Sequence, residues 1–361
     1  MTQIAAIHAP GLENIIVAET TLSHVDGQKG ELILRGKAID DIAGKQSFEE
    51  AVCHLWQGLL LPSQTNLTPA FGTARLKAFQ AVEQLAPLAK ELSVIDWMRL
   101  GLDSLTIDED ERTNAVELTA ALAVFLTSAR RLKQGQTPIT PDPEAGFSKD
   151  LLFMLHGSEP DKEAIDAMDR YLVTILDHGL NASTFTARVV ASTLSDMRSC
   201  LSAAIGALKG PLHGGAPGPV LDMIEDIGEP KKADRWIEQE LNAGNRLMGF
   251  GHRVYRVRDP RADVLKEGLK SLTHLTDRIE KAQAIEQAAL KALKRHKPDR
   301  VLDTNVEFYT AVLLDAIGFD RTLFTPLFAV GRSAGWAAHV IEQQSAGKLI
   351  RPQSRYIGPS I

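Results

Sequence analysis

Apolar residues recur every three or four positions through most of this chain, the period of helices that each bury one face. The exception lies near the N-terminus. Thr20 to Gly36 carries turn signals at Asp26-Gly27 and Gly30, followed by Glu31-Leu32-Ile33-Leu34-Arg35, and predicts a small hairpin. Beyond it, Ser47-Phe48-Glu49-Glu50 has the form of a capping box opening a helix that Gly58 closes. Asn114 to Gln134 predicts a strong Ala- and Leu-rich helix stopped by Gly135. Pro138 to Ser148 predicts a connection. Asp161 to His178, Ser183 to Ser195 and Met197 to Lys209 predict three successive helices.

The run Gly210-Pro211-Leu212-His213-Gly214-Gly215-Ala216-Pro217-Gly218-Pro219 is too rich in breakers for regular structure. The helices predicted after it are Val220 to Ile227, Lys231 to Ala243, Pro260 to Leu272 and Arg278 to Arg295. They are more charged than those before, which points to a smaller, more exposed domain over 214–317. An apolar helix, Leu323 to Gln344, and a Pro-containing tail return the chain to the larger body, 1–213 and 318–361. The fold class is all-α with a minor β-hairpin.

At 361 residues and 39.4 kDa the chain holds two domains at most, or one helical body with an inserted lobe. With 44% hydrophobic and 24% charged residues, wholesale disorder is excluded. A net charge of -6 gives no electrostatic footprint for nucleic acid. The most apolar run, Leu118 to Leu126, is too short for a membrane span, and two cysteines make no disulfide framework. The expectation is a cytoplasmic enzyme.

The ten histidines are not equivalent. His54 and His339 sit in apolar helical patterns and read as satisfied core or interface residues, and His296 as a solvated helix end. His213 and His252 are each set in glycine, as Leu212-His213-Gly214-Gly215 and Gly249-Phe250-Gly251-His252-Arg253. Glycine permits positive φ and close ligand approach, so these histidines read as held at turns. One such turn would be incidental; two weaken that reading. After His252, the glycine turn and Arg256, Arg258 and Arg261 suit an anionic ligand, against the plainer reading of a basic loop neutralised by Asp259 and Glu267. No Walker motif, strand-linked GxGxxG, HxxxH or CxxC spacing supports a nucleotide or metal site. Glu307, in Asn305-Val306-Glu307-Phe308-Tyr309, reads either as a helix cap or as a carboxylate poised by partial burial. Arg332 lies in an apolar helix, where an unpaired guanidinium is costly and an anion is expected to meet it.

These strings resemble the citrate synthase family. Gly210 to Ala216 and Gly249 to Tyr255, ending in Asp259-Pro260-Arg261, are similar to its two signature segments. Asp177-His178-Gly179-Leu180-Asn181-Ala182-Ser183-Thr184 is similar to its third histidine segment. Phe324-Thr325-Pro326 through Gly335-Trp336 and Arg351-Pro352 resemble its C-terminal segments, and Val25-Asp26-Gly27 with Leu34-Arg35-Gly36 the opening of its short bacterial members. The resemblance implies an all-helical homodimer whose two domains close on acetyl-CoA and oxaloacetate. The reaction it implies is condensation followed by hydrolysis of the citryl thioester. Coenzyme A thioester is then a substrate, and no cofactor or metal is implied. Neither nucleic acid nor membrane is an expected partner.

Carried over residue by residue, the resemblance makes Glu307 the base, His213 the hydrogen-bond donor to the thioester oxygen and His252 the group that polarises the oxaloacetate carbonyl. His178, Arg261, Arg332 and Phe328 would line the dicarboxylate pocket, with Arg351 supplied by the partner subunit and Arg99 as a further substrate arginine. Arg256 and the backbone of Arg246, Leu247, Met248, Gly249, Phe250 and Gly251 would hold CoA. The family's base is usually aspartate, so Glu307 is one methylene longer, and Gly179 stands where glutamate is often found. The likeness to short members also implies that the NADH-sensing extension of longer relatives is absent. The same motifs serve 2-methylcitrate synthase acting on propionyl-CoA. A silent acyl-CoA- or dicarboxylate-binding paralogue is the alternative outside catalysis.

Overall fold

The computed structural model describes residues 11–12, 15–62, 65–214, 217–272 and 276–359. Among these, sixteen α-helices and one three-stranded antiparallel sheet account for the regular structure. The all-α expectation therefore holds, and so does the hairpin. Ser23–Asp26 pairs with Glu31–Leu34, and Lys37–Ala38 adds a third strand. Asp26 preforms the turn: its carboxylate accepts from the Gln28 and Lys29 amides at 2.9 and 3.0 Å.

Helix starts follow the predicted chemistry. Ser47 and Glu50 form the reciprocal capping box of Phe48–Trp56. Asp110, Asp161, Asn181, Asp196, Asp259 and Asn305 each satisfy an amide in the first turn of the helix they precede. Two 23-residue helices, Glu111–Lys133 and Phe324–Ala346, run through the core. Leu118 to Leu126 is buried along its whole length. Trp56 donates from Nε1 to the Ala334 carbonyl at 2.9 Å, tying the capped helix to Phe324–Ala346.

Several boundaries differ from the sequence reading. The predicted Pro138–Ser148 connection ends at Gly146, where helix Phe147–His156 begins. Asp161–His178 is helical only over Lys162–Thr174. The chain breaks there because Arg332 Nε claims the Ile175 carbonyl at 2.5 Å and Gly179 turns the backbone at φ +56°. Helical periodicity could not show this, since Ile175 and Leu176 are buried whichever way the backbone runs. Ser183–Ser195 shortens to Ala182–Ala191. The breaker-rich run is turn through Gly214, but a helix already begins at Pro217 and continues to Ile227.

The helices of the more charged region follow as Pro217–Ile227, Ala233–Asn242, Pro260–Leu269, Thr276–His296 and Val306–Ala316. Pro260–Leu269 packs on both Val306–Ala316 and Lys162–Thr174. That packing brings the loop before it against the segment that follows Thr174.

Candidate active site

Five segments converge: the break at Ile175–Asn181, the turn carrying His213, the loop 249–261, the start of helix Val306–Ala316 and the middle of helix Phe324–Ala346. The loop 249–261 is shaped by two glycines at φ +84° and +82°. A Cβ on Gly249 would lie 2.9 Å from Phe308 Cβ, so only glycine fits. The loop then pairs with 303–305. Gly251 N donates to the Asp303 carbonyl at 2.7 Å, Asn305 N to the Gly249 carbonyl at 3.0 Å, and Asn305 Nδ2 to the Gly251 carbonyl at 2.8 Å. Asn305 thus caps the helix bearing Glu307 and pins the loop bearing His252.

His252 Nδ1 accepts from the Val254 and Tyr255 amides at 3.0 and 3.1 Å. An acceptor at Nδ1 places the proton of the neutral ring on Nε2. That Nε2 lies 3.4 Å from Arg261 Nη2, so two N–H groups face one another and point to a shared acceptor. Burial, reinforced by Arg261, pushes the His252 pKa down to about 4. His213 has the opposite tautomer. Its Nε2 accepts from the Ser183 amide at 3.2 Å and lies 2.8 Å from Ser183 Oγ, leaving Nδ1 to carry the proton. Burial and then Arg332 lower its pKa to about 4. Trp336 Nε1 holds Ser183 Oγ at 3.2 Å.

His178 is buried, with Nε2 3.1 Å from the Tyr255 hydroxyl. Its ring centre lies 5.8 Å from that of His252. Desolvation first, then Arg261, Arg332 and His252, hold its pKa well below the ordinary value. The three site histidines are therefore neutral at pH 7.

Arg261 is buried and chelated by Asp259 through Nε at 3.0 Å and Nη2 at 2.8 Å. Asp259 also accepts from the Val306 amide at 3.2 Å, so one carboxylate orients both the arginine and the Glu307 helix. Arg332 stacks over Phe328, its guanidinium carbon 4.7 Å from the ring centre. Burial lowers its pKa to about 10, which leaves it cationic. No carboxylate of the described residues hydrogen-bonds it; Asp177 and Glu307 act on it only as nearby charges. Glu307 is partly exposed, and its carboxyl accepts no hydrogen bond from the described residues. Desolvation outweighs Arg261 and raises its pKa from 4.5 to about 7.

The structure thus gathers His178, His213, His252, Arg261, Glu307, Phe328 and Arg332. It does not bring Arg99 or Arg351 into that group. Arg99, on helix Val94–Ser104, directs its guanidinium to Gly206 and lies beside Asp96. Arg351 is exposed in the irregular tail. Arg246 and Arg256 are exposed, Leu247 and Gly249 buried, and Met248, Phe250 and Gly251 partly so.

Arg258 departs from the expectation of an anion-binding residue. It is committed to Asp263, Glu286 and Asp303 at 2.6, 2.9 and 3.1 Å. Glu286 also receives Lys266, Thr304 and Tyr309, which makes it an internal hub. Nor does Glu267 neutralise this loop; it pairs with Lys270. His339 is the satisfied core residue expected, between Arg188 at 2.8 Å and Asp177 at 3.2 Å. Tyr255, Asp259 and Ser183 were not singled out for roles in the site. A signal existed, since all three lie within the histidine segments, but Ser183 meets His213 across 30 positions and Tyr255 meets His178 across 77, while Asp259 meets Arg261 two positions on and the Val306 amide 47 positions on.

No helix among the described residues is long and apolar enough to cross a membrane, and none of their His, Cys, Asp and Glu groups could hold a metal ion.

The chain matches the family described as citrate synthase, C-terminal domain, over residues 11–353. It is 37% identical to citrate synthase 2 of Bacillus subtilis over 97% of this chain and 95% of that protein. It is 36% identical to the 2-methylcitrate synthase of Mycobacterium tuberculosis over 96% of this chain and 90% of that one. Among solved structures, citrate synthase from Thermotoga maritima superposes with a TM-score of 0.85 at 36% identity, covering 97% of this chain and 95% of the other. The ternary complex of Thermoplasma acidophilum citrate synthase with carboxymethyl coenzyme A and oxaloacetate superposes equally well, at 0.85 and 29% identity over 98% and 96%. The chain belongs to the citrate synthase family and is an enzyme of its acyltransferase type.

Proposed function

We propose that this protein condenses acetyl-CoA with oxaloacetate and hydrolyses the citryl thioester to citrate and CoA. The observation that carries the reading is a pair of neutral histidines with opposite fixed tautomers beside a carboxyl that has no hydrogen-bond partner in the described chain. Arg332, with the Arg261–Asp259 pair, receives the oxaloacetate carboxylates, and His178 completes that pocket. Glu307 removes a methyl proton from acetyl-CoA. A base held near 7 is close to the best match for this transfer. His213 donates Nδ1–H to the thioester oxygen as negative charge develops there; a neutral imidazole is the better-matched donor to an enolate. The nucleophilic carbon then bonds to the ketone carbon, whose oxygen takes the proton from His252 Nε2. Water finally attacks the thioester carbonyl and the CoA thiol leaves. CoA is a substrate, held by Arg256 and the 246–251 backbone, and no resident cofactor is called for.

The region 214–317 acts as the smaller domain over the cleft, and the enzyme works as a cytoplasmic homodimer with Arg351 crossing to the partner site. The tail that carries Arg351 leaves Leu349, Tyr356 and Ile357 exposed at 57, 77 and 87%, as a segment seated on a second subunit would.

Propionyl-CoA is the competing substrate, because relatives of both specificities are equally similar. Steady-state kinetics with both thioesters, following release of CoA thiol, decides between them. A higher kcat/KM for propionyl-CoA would reverse the assignment, and no thiol release with either would remove it.

A further inference from the structure

The N-terminal hairpin touches both halves of the dicarboxylate pocket, a role no motif suggested. At its base, Ser23 Oγ donates to Asp177 Oδ2 at 2.5 Å and accepts from the Gly179 amide at 2.9 Å, bracketing His178. Asp177 is also held by His339, and Thr21 N is anchored on Glu342 at 2.8 Å. At its tip, Arg256 N donates to the Gly27 carbonyl at 2.7 Å. A Cβ on Gly27 would lie 2.2 Å from the Val254 carbonyl oxygen, and one on Gly30 would lie 3.0 Å from the Arg258 carbonyl oxygen. The tip therefore presses on the backbone whose Val254 and Tyr255 amides hold His252.

We propose that this hairpin is a positioning strap that fixes the His178 and His252 segments relative to each other, with Ser23 and Gly27 as positioning residues. Neither touches substrate. The strap joins the long-range segments at 177–179 and 252–258 through only four strand residues on each arm, so its stiffness sets their spacing. Gly27 is a clean probe, because its φ lies outside the left-handed region and alanine would leave the hairpin unstrained. What alanine cannot do is fit against Val254.

The kinetic arm of the test rests on the condensing activity proposed above; the exchange arm does not. In the protein alone, Gly27→Ala should speed amide hydrogen exchange across 252–258, and Ser23→Ala should do so both there and at Gly179. Exposed Glu31, on the same hairpin, supplies the control Glu31→Ala, which should change neither. In catalysis, Gly27→Ala should raise the oxaloacetate KM, and so lower kcat/KM, about tenfold or more, since a misplacement of about 1 Å can cost about 10² in rate. The double variant should lose less than the product of the single losses, because both cut one strap. Unchanged exchange at 252–258 in Gly27→Ala would overturn the proposal, as would multiplicative losses or an unmoved KM. A wild-type protein without condensing activity would remove the function reading and leave the exchange result to decide the strap.

Discussion

Replacing Glu307 by glutamine should cost activity and gain stability, with a pH dependence that identifies the cause. In the folded protein the carboxyl has a pKa near 7 in place of 4.5, chiefly through desolvation. A group whose folded pKa is raised supports the fold when protonated, below about 4.5. It loses that support as pH rises through about 7. At pH 8 the ionised carboxylate therefore costs up to about 3 kcal/mol, at about 1.4 kcal/mol per tenfold, and less in so far as its partial exposure lets water reach it. At pH 5 the same linkage leaves under about 1 kcal/mol. Glutamine has no such titration. The stability difference between Glu307→Gln and wild type should thus move in favour of glutamine by about 2 kcal/mol from pH 5 to pH 8. Urea unfolding at fixed protein concentration, at both pH values, measures it; taking the difference cancels whatever the amide itself costs. Condensation should fall by about 10²–10⁴, because the amide cannot take the proton. A pH-independent difference would refute the desolvation argument. Retained activity would make another group the base.

His213→Ala should lower kcat by about 10²–10³ while oxaloacetate affinity, by calorimetry, stays within a few-fold; a raised KM with kcat intact would make His213 a binding residue. The log of kcat/KM should fall below pH 7 as Glu307 is protonated, whereas histidines held near 4 add no second step above pH 5; a profile flat down to pH 5 contradicts this. Mixing the inactive variants Glu307→Gln and Arg351→Ala under subunit exchange should restore about a quarter of wild-type sites, because each heterodimer rebuilds one. No restoration would mean that Arg351 acts within its own subunit.

The fold class was legible because helical period and capping residues are local: Ser47 caps where expected and Asp161 caps the helix predicted to start with it, whereas the cap at the Glu307 helix is Asn305 and not Glu307. The break after Thr174 was not. It depends on Arg332 reaching across 157 positions to the Ile175 carbonyl, which no window of sequence contains. Likewise, the glycine-set histidines announced His213 and His252, while the groups that fix their tautomers did not announce themselves. Ser183 reaches His213 from 30 residues away, and the His252 acceptors are plain backbone amides. Arg258 shows the converse failure. In sequence it is indistinguishable from its neighbours Arg256 and Arg261; Asp263 is nearby in the chain, but only the fold delivers Glu286 and Asp303 to it.

Charge balance gives the proposed role of Arg351 an electrostatic rationale. Arg261 is already neutralised by Asp259, and Arg332 is offset by Glu307 once that carboxyl ionises. A dicarboxylate entering this pocket would add two negative charges beside Asp259 and an ionised Glu307, which is unfavourable. It would also push the Glu307 pKa higher still, leaving the base protonated at the moment it is needed. Neither His178 nor His252 relieves this, since both are held neutral. Another guanidinium arriving with the proposed closure or assembly would relieve it. Arg351, exposed on a tail that carries unburied apolar side chains, has the charge and the freedom to supply it. If Arg351 joins the site as proposed, its added positive charge would strengthen the hold on the dicarboxylate and return Glu307 toward ionisation as the substrate binds.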